Sequence, residues 1–156
     1  MNVRIGPLGP EYAGEALTVQ RAAYVTEAQH YRAPDLPPLT ETLDELCADL
    51  AAGLPALGAW LGPRLVGSVR GRPAGDRMEV ARLAVAPDLH RRGIGRQLLD
   101  AVETAAPPAV RTLWLATGVT SDASLALYRR AGYVVVGSST DAAGVALAVL
   151  EKPRHP

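Results

Sequence analysis

The chain is poor in several residue types that would point to particular classes of protein. Cys47 is the single cysteine among 156 residues, which excludes an intramolecular disulfide and a cysteine-based metal cluster. Phenylalanine is absent, so aliphatic side chains, two tryptophans and a few tyrosines must fill the core. Basic and acidic residues balance to a formal net charge of zero. A broad basic surface is therefore missing, and we expect neither a nucleic-acid partner nor a metal.

Long apolar runs are missing as well. No window approaches the roughly 18 consecutive apolar residues that a membrane-spanning helix needs. The first seven residues contain no apolar run behind a basic stretch, so they do not resemble a secretory signal. We therefore expect a cytoplasmic protein with no membrane partner.

What is present is typical of one globular domain. Hydrophobic residues make up 48% of the chain and charged residues 21%, and no linker or repeat divides it. We expect a single domain over 1–156, of the α/β class with a mixed sheet. The apolar periodicity predicts the order β-α-α-β-β-β-α-β-α-β-β. The predicted strands cover 3–5, 56–61, 65–70, 78–86, 111–116, 133–136 and 145–150, and the helices about 11–24, 42–53, 94–106 and 121–130.

Two local signals bear on the second predicted helix. The prolines of 31–38 exclude a regular helix just before it. Thr42 and Glu45 match a capping box, and Gly53 is placed to end the helix.

The most informative segment joins the strand at 78–86 to the helix at 94–106 through a basic, glycine-rich turn. A helix start exposes unpaired amides and the positive end of the helix dipole, which suits a diphosphate. Gly93 and Gly95 leave room for a ligand near the backbone. The alternative is that the two glycines only make a tight connection between strand and helix, and that the arginines form a solvated surface. The segment predicted to hold a pyrophosphate comprises Arg91, Arg92, Gly93, Ile94, Gly95 and Arg96.

Two other phosphate-binding motifs do not fit this turn. A Walker A loop ends in Gly-Lys-Ser/Thr, whereas Arg96 and Gln97 follow Gly95. The dinucleotide fingerprint needs a small third residue where Leu98 stands.

The turn instead resembles motif A of the GNAT superfamily of N-acetyltransferases, whose pattern is Gln/Arg-x-x-Gly-x-Gly/Ala. Gly93 and Gly95 match this pattern, and His90 departs from it. The preceding Arg-Leu-Ala-Val-x-Pro run at 82–87 is also typical of the family. The resemblance extends over nearly the whole chain and implies the family's fold and acetyl-CoA as acyl donor. It further implies that backbone groups of Leu83, Ala84 and Val85 bind the pantetheine amides.

A second segment, 121–133, resembles the family's motif B, commonly Asn-x-x-Ala-x-x-Leu-Tyr-x-x-x-Gly-Phe/Tyr. Four residues match, namely Leu127, Tyr128, Gly132 and Tyr133, whereas Ser121 and Ser124 replace the usual Asn and Ala. The resemblance implies that Ser121 and Ser124 lie at the cofactor, and Ser121 can still cap the helix.

Catalytic roles follow from the same resemblance. Tyr128 would lie near the thioester sulfur, where its phenol can transfer a proton or donate a hydrogen bond. The alternative is a tyrosine that only packs on its helix. Glu79 corresponds in place to a glutamate base of the family's histone-acetylating branch. The alternatives are that Glu79 is only a carboxylate at the rim of the strand, or that a water relay works without a dedicated base. Strand alternation places Glu79 on one face with Leu83 unless a bulge intervenes.

The acceptor is not identified by the sequence. In the family, acceptor specificity comes from segments equivalent to 24–39 and 137–144. Glu27, His30, Tyr31 and Asp35 could receive an ammonium group, and Arg70, Arg72 and Arg82 a carboxylate. We expect an N-acetyltransferase acting on a primary amine of a small molecule or peptide, with a homodimer as one form. The alternative is a non-catalytic module that senses acyl-CoA.

Overall fold

The computed structural model describes residues 2–155, and its centre is one seven-stranded sheet. The strands run in the order β1-β2-β3-β4-β5-β7-β6, and every neighbouring pair is antiparallel except β4 and β5. Their bounds are β1 Arg4–Pro7, β2 Ala56–Leu61, β3 Arg64–Ala74, β4 Arg77–Val85, β5 Thr112–Gly118, β6 Val134–Thr140 and β7 Ala146–Pro153.

Five α-helices accompany the sheet. They are α1 Ala13–Tyr31, α2 Pro37–Thr40, α3 Leu43–Ala51, α4 Ile94–Thr104 and α5 Asp122–Arg130. Short 3-10 turns at Pro10–Tyr12 and Pro87–Leu89 precede α1 and α4. None of the helices in the described part of the chain is long and apolar enough to cross a membrane.

The mixed α/β fold class is confirmed, but the element order differs from the predicted one by the short helix α2. Pro37 and Pro38 occupy its first turn, where proline is tolerated because that amide has no helical acceptor in any case. Helix α1 also continues beyond Tyr24 to Tyr31, and Arg32, at φ 52, ends it in the left-handed conformation. Strand β6 continues to Thr140, into a stretch expected to be a loop.

The two faces of the sheet carry different helices. On one face, α4 buries Ile94, Leu98, Leu99 and Val102, each at most 1% exposed, against the strands. Burying such a side chain contributes about 1.5–3 kcal/mol. Helices α1 and α3 cover the other face, where Leu46 packs with Trp60. The capping box of Thr42 and Glu45 begins α3 as predicted.

The parallel pair β4 and β5 is incomplete, and this opens a cleft in the sheet. Their ladder is limited to Arg77, Met78 and Glu79 opposite Thr112, Leu113 and Trp114. Beyond Glu79 the ladder with β5 stops, although β4 continues to Val85 and β5 to Gly118. The facing edges of these strand ends are therefore available to a ligand.

Candidate active site

A β-bulge shapes the strand at the edge of the cleft. The register of β3 against β4 shifts between Ser68 and Arg70, so Arg82 and Leu83 together face one residue of β3. Arg82 has a φ of 57°, a left-handed conformation that is uncommon for a residue with a side chain. Leu83 consequently packs with the core on the α4 side. A common face for Glu79 and Leu83 was expected only for a strand without a bulge, and here the extra residue reverses the alternation.

Two carbonyls of β4 lie on the edge that β5 leaves uncovered. The Tyr24 hydroxyl donates a hydrogen bond to the Leu83 carbonyl at 3.0 Å. His90 Nε2 lies 2.9 Å from the Val85 carbonyl, and because a carbonyl only accepts, the ring donates through a protonated Nε2. His90, the departure from motif A, thus fixes the strand next to the turn. Each carbonyl keeps a second lone pair for a ligand.

The start of α4 presents free amides. Gly93, at φ 81, is its N-cap residue and contributes no side-chain cap. The first helical bond of the turn runs from the Gln97 amide to the Gly93 carbonyl, so the amides of residues 94–96 have no helical acceptor. Arg91, at φ 64, is also left-handed. Successive backbone amides in a turn of this kind form the concave arrangements that bind anions.

Gly95 leaves space that the protein itself does not need. A Cβ at this position would make only ordinary contacts, 3.5 Å from Leu127 and 3.8 Å from Val85. Packing within the chain therefore does not require glycine here, which fits a ligand that approaches the backbone.

The predicted arginines surround this turn. Arg91, Arg92 and Arg96 are exposed, and Arg96 Nε lies 3.1 Å from Asp100. The free amides and three guanidinium groups are the donor set that a pyrophosphate requires, so the residues present fit the diphosphate of a coenzyme A donor.

Tyr128 lies in a half-buried cluster with two residues of α1, Tyr24 and Glu27. Burial raises the pKa of the Tyr128 phenol, and the neighbouring Tyr24 and the negative charge of Glu27 raise it further. Burial likewise raises the pKa of Tyr24. Tyr133 holds the Tyr128 ring in an edge-to-face pair with centroids 6.0 Å apart. Both phenols of the cluster therefore keep their protons at neutral pH.

A chain of hydrogen bonds joins the end of α1 to the turn before α5. Ser121 Oγ donates to Glu27 Oε2 at 2.6 Å and accepts from the Tyr31 hydroxyl at 2.7 Å. The Thr120 amide donates to the Tyr31 oxygen, and His30 Nε2 lies 2.9 Å from Thr120 Oγ1. Ser121 stands at the N-cap position of α5 without capping it, so the capping prediction is wrong because its hydroxyl is already engaged. A cofactor contact for Ser121 and Ser124 stays a prediction.

Glu79 lies at the vertex of the cleft, opposite Trp114 of β5. Its carboxylate is 3.9 Å from the Arg72 guanidinium of β3. About 13 Å of strand separates Glu79 from Leu83, at roughly 3.3 Å per residue. Its role as a base stays a prediction.

A buried ionic network lies beside the cluster of Tyr24, Glu27 and Tyr128. Arg70 contacts Glu41 at 2.6 Å and Asp49 at 2.7 Å, and Gln20 joins Arg70 to Glu41. Burial alone would raise the pKa of Glu41, but hydrogen bonds from Arg70 and Gln20 lower it to about 2. Sequence reasoning missed Gln20 and Glu41, since no local pattern relates residues on separate elements. The nearest signal was the set of basic residues that includes Arg70.

Sequence comparison agrees with this geometry. Residues 21–133 match the sequence model of the acetyltransferase (GNAT) family. An uncharacterized N-acetyltransferase of Bacillus subtilis, YvbK, is 35% identical over 79 residues, which cover 48% of this chain and 50% of that protein. The match thus spans about half the length of this curated relative. The chain belongs to the GNAT family of acetyltransferases.

Solved structures show the same fold. An N-acetyltransferase from Staphylococcus aureus Mu50 superposes with a TM-score of 0.82 at 18% identity, covering 99% of this chain and 100% of the other. PaiA N-acetyltransferase from Thermoplasma acidophilum, solved in complex with coenzyme A, gives a TM-score of 0.78 at 17% identity, covering 98% and 99%. At such identities the likeness concerns the fold alone.

Proposed function

We propose that this protein transfers the acetyl group of acetyl-CoA to a primary amine of a small molecule or peptide. The observation that carries the proposal is the cluster around Leu83, where the Tyr24 hydroxyl, the cleft edge of β4 and half-buried Tyr128 converge. Membership of the acetyltransferase family supports the reaction class.

The start of α4 and the open edge of β4 would hold the donor. Acetyl-CoA supplies the acetyl group as a thioester, and its diphosphate matches the free amides at 94–96 and the guanidinium groups around them. The carbonyls of Leu83 and Val85 can each accept a further hydrogen bond from an amide of the pantetheine arm.

Tyr128 would act as a hydrogen-bond donor to the departing sulfur. Its raised phenol pKa keeps the proton on Oη, whereas an ordinary thiol has a pKa of about 8.5. Full transfer of the proton is therefore uphill, and donation of a hydrogen bond is the favoured form of assistance.

Glu27 and Glu79 are the candidate residues for the amine. Glu27 borders the Tyr24 and Tyr128 cluster and holds Ser121 through one carboxylate oxygen, Oε2, so it is placed to receive an ammonium group. Glu79 at the cleft vertex would remove its proton through intervening water. We expect Glu79→Gln to lower kcat by about 10²-fold, whereas a water relay that does not involve Glu79 would leave kcat unchanged.

The proposal is tested by free-thiol release from acetyl-CoA with a broad panel of amines, with the N-acetyl product identified by mass spectrometry. Tyr128→Phe is expected to lower kcat by about 10²-fold with little change in the KM for acetyl-CoA. Tyr12→Phe is the matched control, because the Tyr12 ring packs edge-on against Trp60 and its hydroxyl makes no hydrogen bond within residues 2–155. Binding of acetyl-CoA without turnover of any amine would favour the sensor instead.

A further inference from the structure

Arg82 adopts a backbone conformation that the chain must support at a cost. Its φ of 57° lies in the left-handed region, and it sits at the bulge of β4 directly before Leu83. Such outliers persist where the surrounding structure enforces them, and they concentrate at functional positions. The outlier at Arg82 sets the direction of its side chain. The extra residue turns the guanidinium toward Tyr24, Glu41 and Arg70 on the α1 and α3 side, and Tyr24 is in turn a neighbour of Tyr128.

The Arg82 guanidinium has no adequate partner. Among residues 2–155 it makes no hydrogen bond, and its Nε is buried without an acceptor. The nearest anion is Glu41, whose Oε1 lies 3.8 Å away. That oxygen already accepts hydrogen bonds from Arg70 and Gln20. The side chain of Arg82 is nevertheless 21% exposed, so a ligand can reach it.

The surroundings of Arg82 suit one kind of anion. A carboxylate is planar and monoanionic, and guanidinium groups bind it through paired N–H donors. A dianionic phosphate would meet the charges of Glu41 and Glu27 on the same side of the sheet. Burial lowers the pKa of Arg82 below its ordinary value, yet a guanidinium remains charged at neutral pH.

We propose that Arg82 binds a carboxylate of the acceptor, so that the acceptor is a small amine that also carries a carboxylate. The inference rests on the proposed function, because it assigns the anionic half of the same acceptor site. The amine would lie near Glu27 and Tyr128, and the carboxylate beside Arg82, with Tyr24 between them.

The test uses straight-chain ω-amino acids with one to five methylenes, each compared with its carboxamide. The carboxamide differs in amine pKa, so the useful quantity is the ratio of kcat/KM for acid over amide, compared between the wild type and each variant. We expect Arg82→Gln and Arg82→Gly to lower this ratio about 10- to 100-fold, the effect of one charge-assisted hydrogen-bonded contact. Arg77→Gln is the control, since Arg77 lies on the same strand and pairs with Glu151.

Arg82→Gly separates loss of binding from loss of folding. Glycine adopts a positive φ without strain, so this variant should keep its Tm or gain about 2–4 °C. It removes the guanidinium at the same time. A folded Arg82→Gly protein that retains the wild-type acid-to-amide ratio would overturn the inference. Equal loss for acids and amides would overturn it as well.

A second readout keeps the inference independent of turnover. At least one ω-amino acid of the series, added to the protein with coenzyme A, should raise the Tm of the wild type and not that of Arg82→Gly. If no amine releases thiol, the proposed function fails and this binding measurement alone decides the inference. If neutral amines are acetylated and the amino acids neither react nor shift the Tm, the proposed function stands and the inference is wrong.

Discussion

Replacing Glu41 with glutamine should weaken the fold by an amount that depends on pH. The carboxylate is 10% exposed and bonds Arg70 through both oxygens. Its pKa is lowered from 4.5 to about 2, which corresponds to roughly 3 kcal/mol at about 1.4 kcal/mol per pKa unit. Because Asp49, which shares Arg70, is 28% exposed, solvent screening reduces this to about 2 kcal/mol.

The sign of the pH dependence follows from the lowered pKa. The folded state holds its proton on Glu41 less tightly than the unfolded chain does, so the stabilisation is fully present above the unfolded pKa of about 4.5. It disappears as the pH falls toward 2. We therefore expect Glu41→Gln to lower the free energy of unfolding by about 2 kcal/mol at pH 7 and about 1 kcal/mol at pH 3.

Urea titration followed by circular dichroism at several pH values between 3 and 7 measures both quantities. Asp35→Asn is the control, because Asp35 is exposed in the loop after α1. It should change the stability by no more than about 0.5 kcal/mol. A wild-type-minus-variant difference that is the same at pH 7 and pH 3 would refute the electrostatic reasoning. In that case Glu41 would act only through its shape and neutral hydrogen bonds.

Two further predictions concern glycines. Gly93→Glu should weaken binding of acetyl-CoA at least about tenfold by calorimetry, since a carboxylate within a few ångström of a bound anion costs on the order of 1–4 kcal/mol; unchanged affinity would contradict the diphosphate assignment. Gly75→Glu, at φ 62 in an exposed hairpin turn, carries the same backbone strain and should bind normally. Gly118→Ala places a Cβ against the Tyr31 hydroxyl and Ser121, and overpacking should cost about 1–3 kcal/mol in urea titrations. Gly137→Ala meets no atom within 4 Å, and an equal loss there would refute this reading.

The features that the sequence predicts well are those set by local pattern. Helix α4 and its glycine-rich start depend on helical periodicity and on residues within one turn, so the local pattern is sufficient to predict the helix at 94–104. The capping box of α3 is equally local. The short helix α2 is not predicted, because proline breaks a helix in its interior but can also begin one, depending on its position.

The remaining parts of the site depend on contacts between distant elements. The Arg70–Glu41 pair is 29 residues apart, and the Ser121–Glu27 contact is 94 residues apart. Neither has a periodic signal. The bulge at Arg82 arises from the register of β3 against β4, and a strand pattern shows where alternation begins and not where it slips. Tertiary contact therefore decides which polar groups meet.

The lack of phenylalanine and the placement of the two tryptophans give the molecule distinct optical probes. Trp60 is buried on the α1 and α3 side, with Tyr12 at its edge and the Arg4 guanidinium 4.5 Å from the ring centroid. Trp114 is only partly buried and stands at the cleft vertex opposite Glu79. Emission from Trp60 reports the integrity of the helical layer, and emission from Trp114 reports the polarity of the cleft. A variant that keeps only Trp60 would follow loss of the fold, and a variant that keeps only Trp114 would follow events in the cleft.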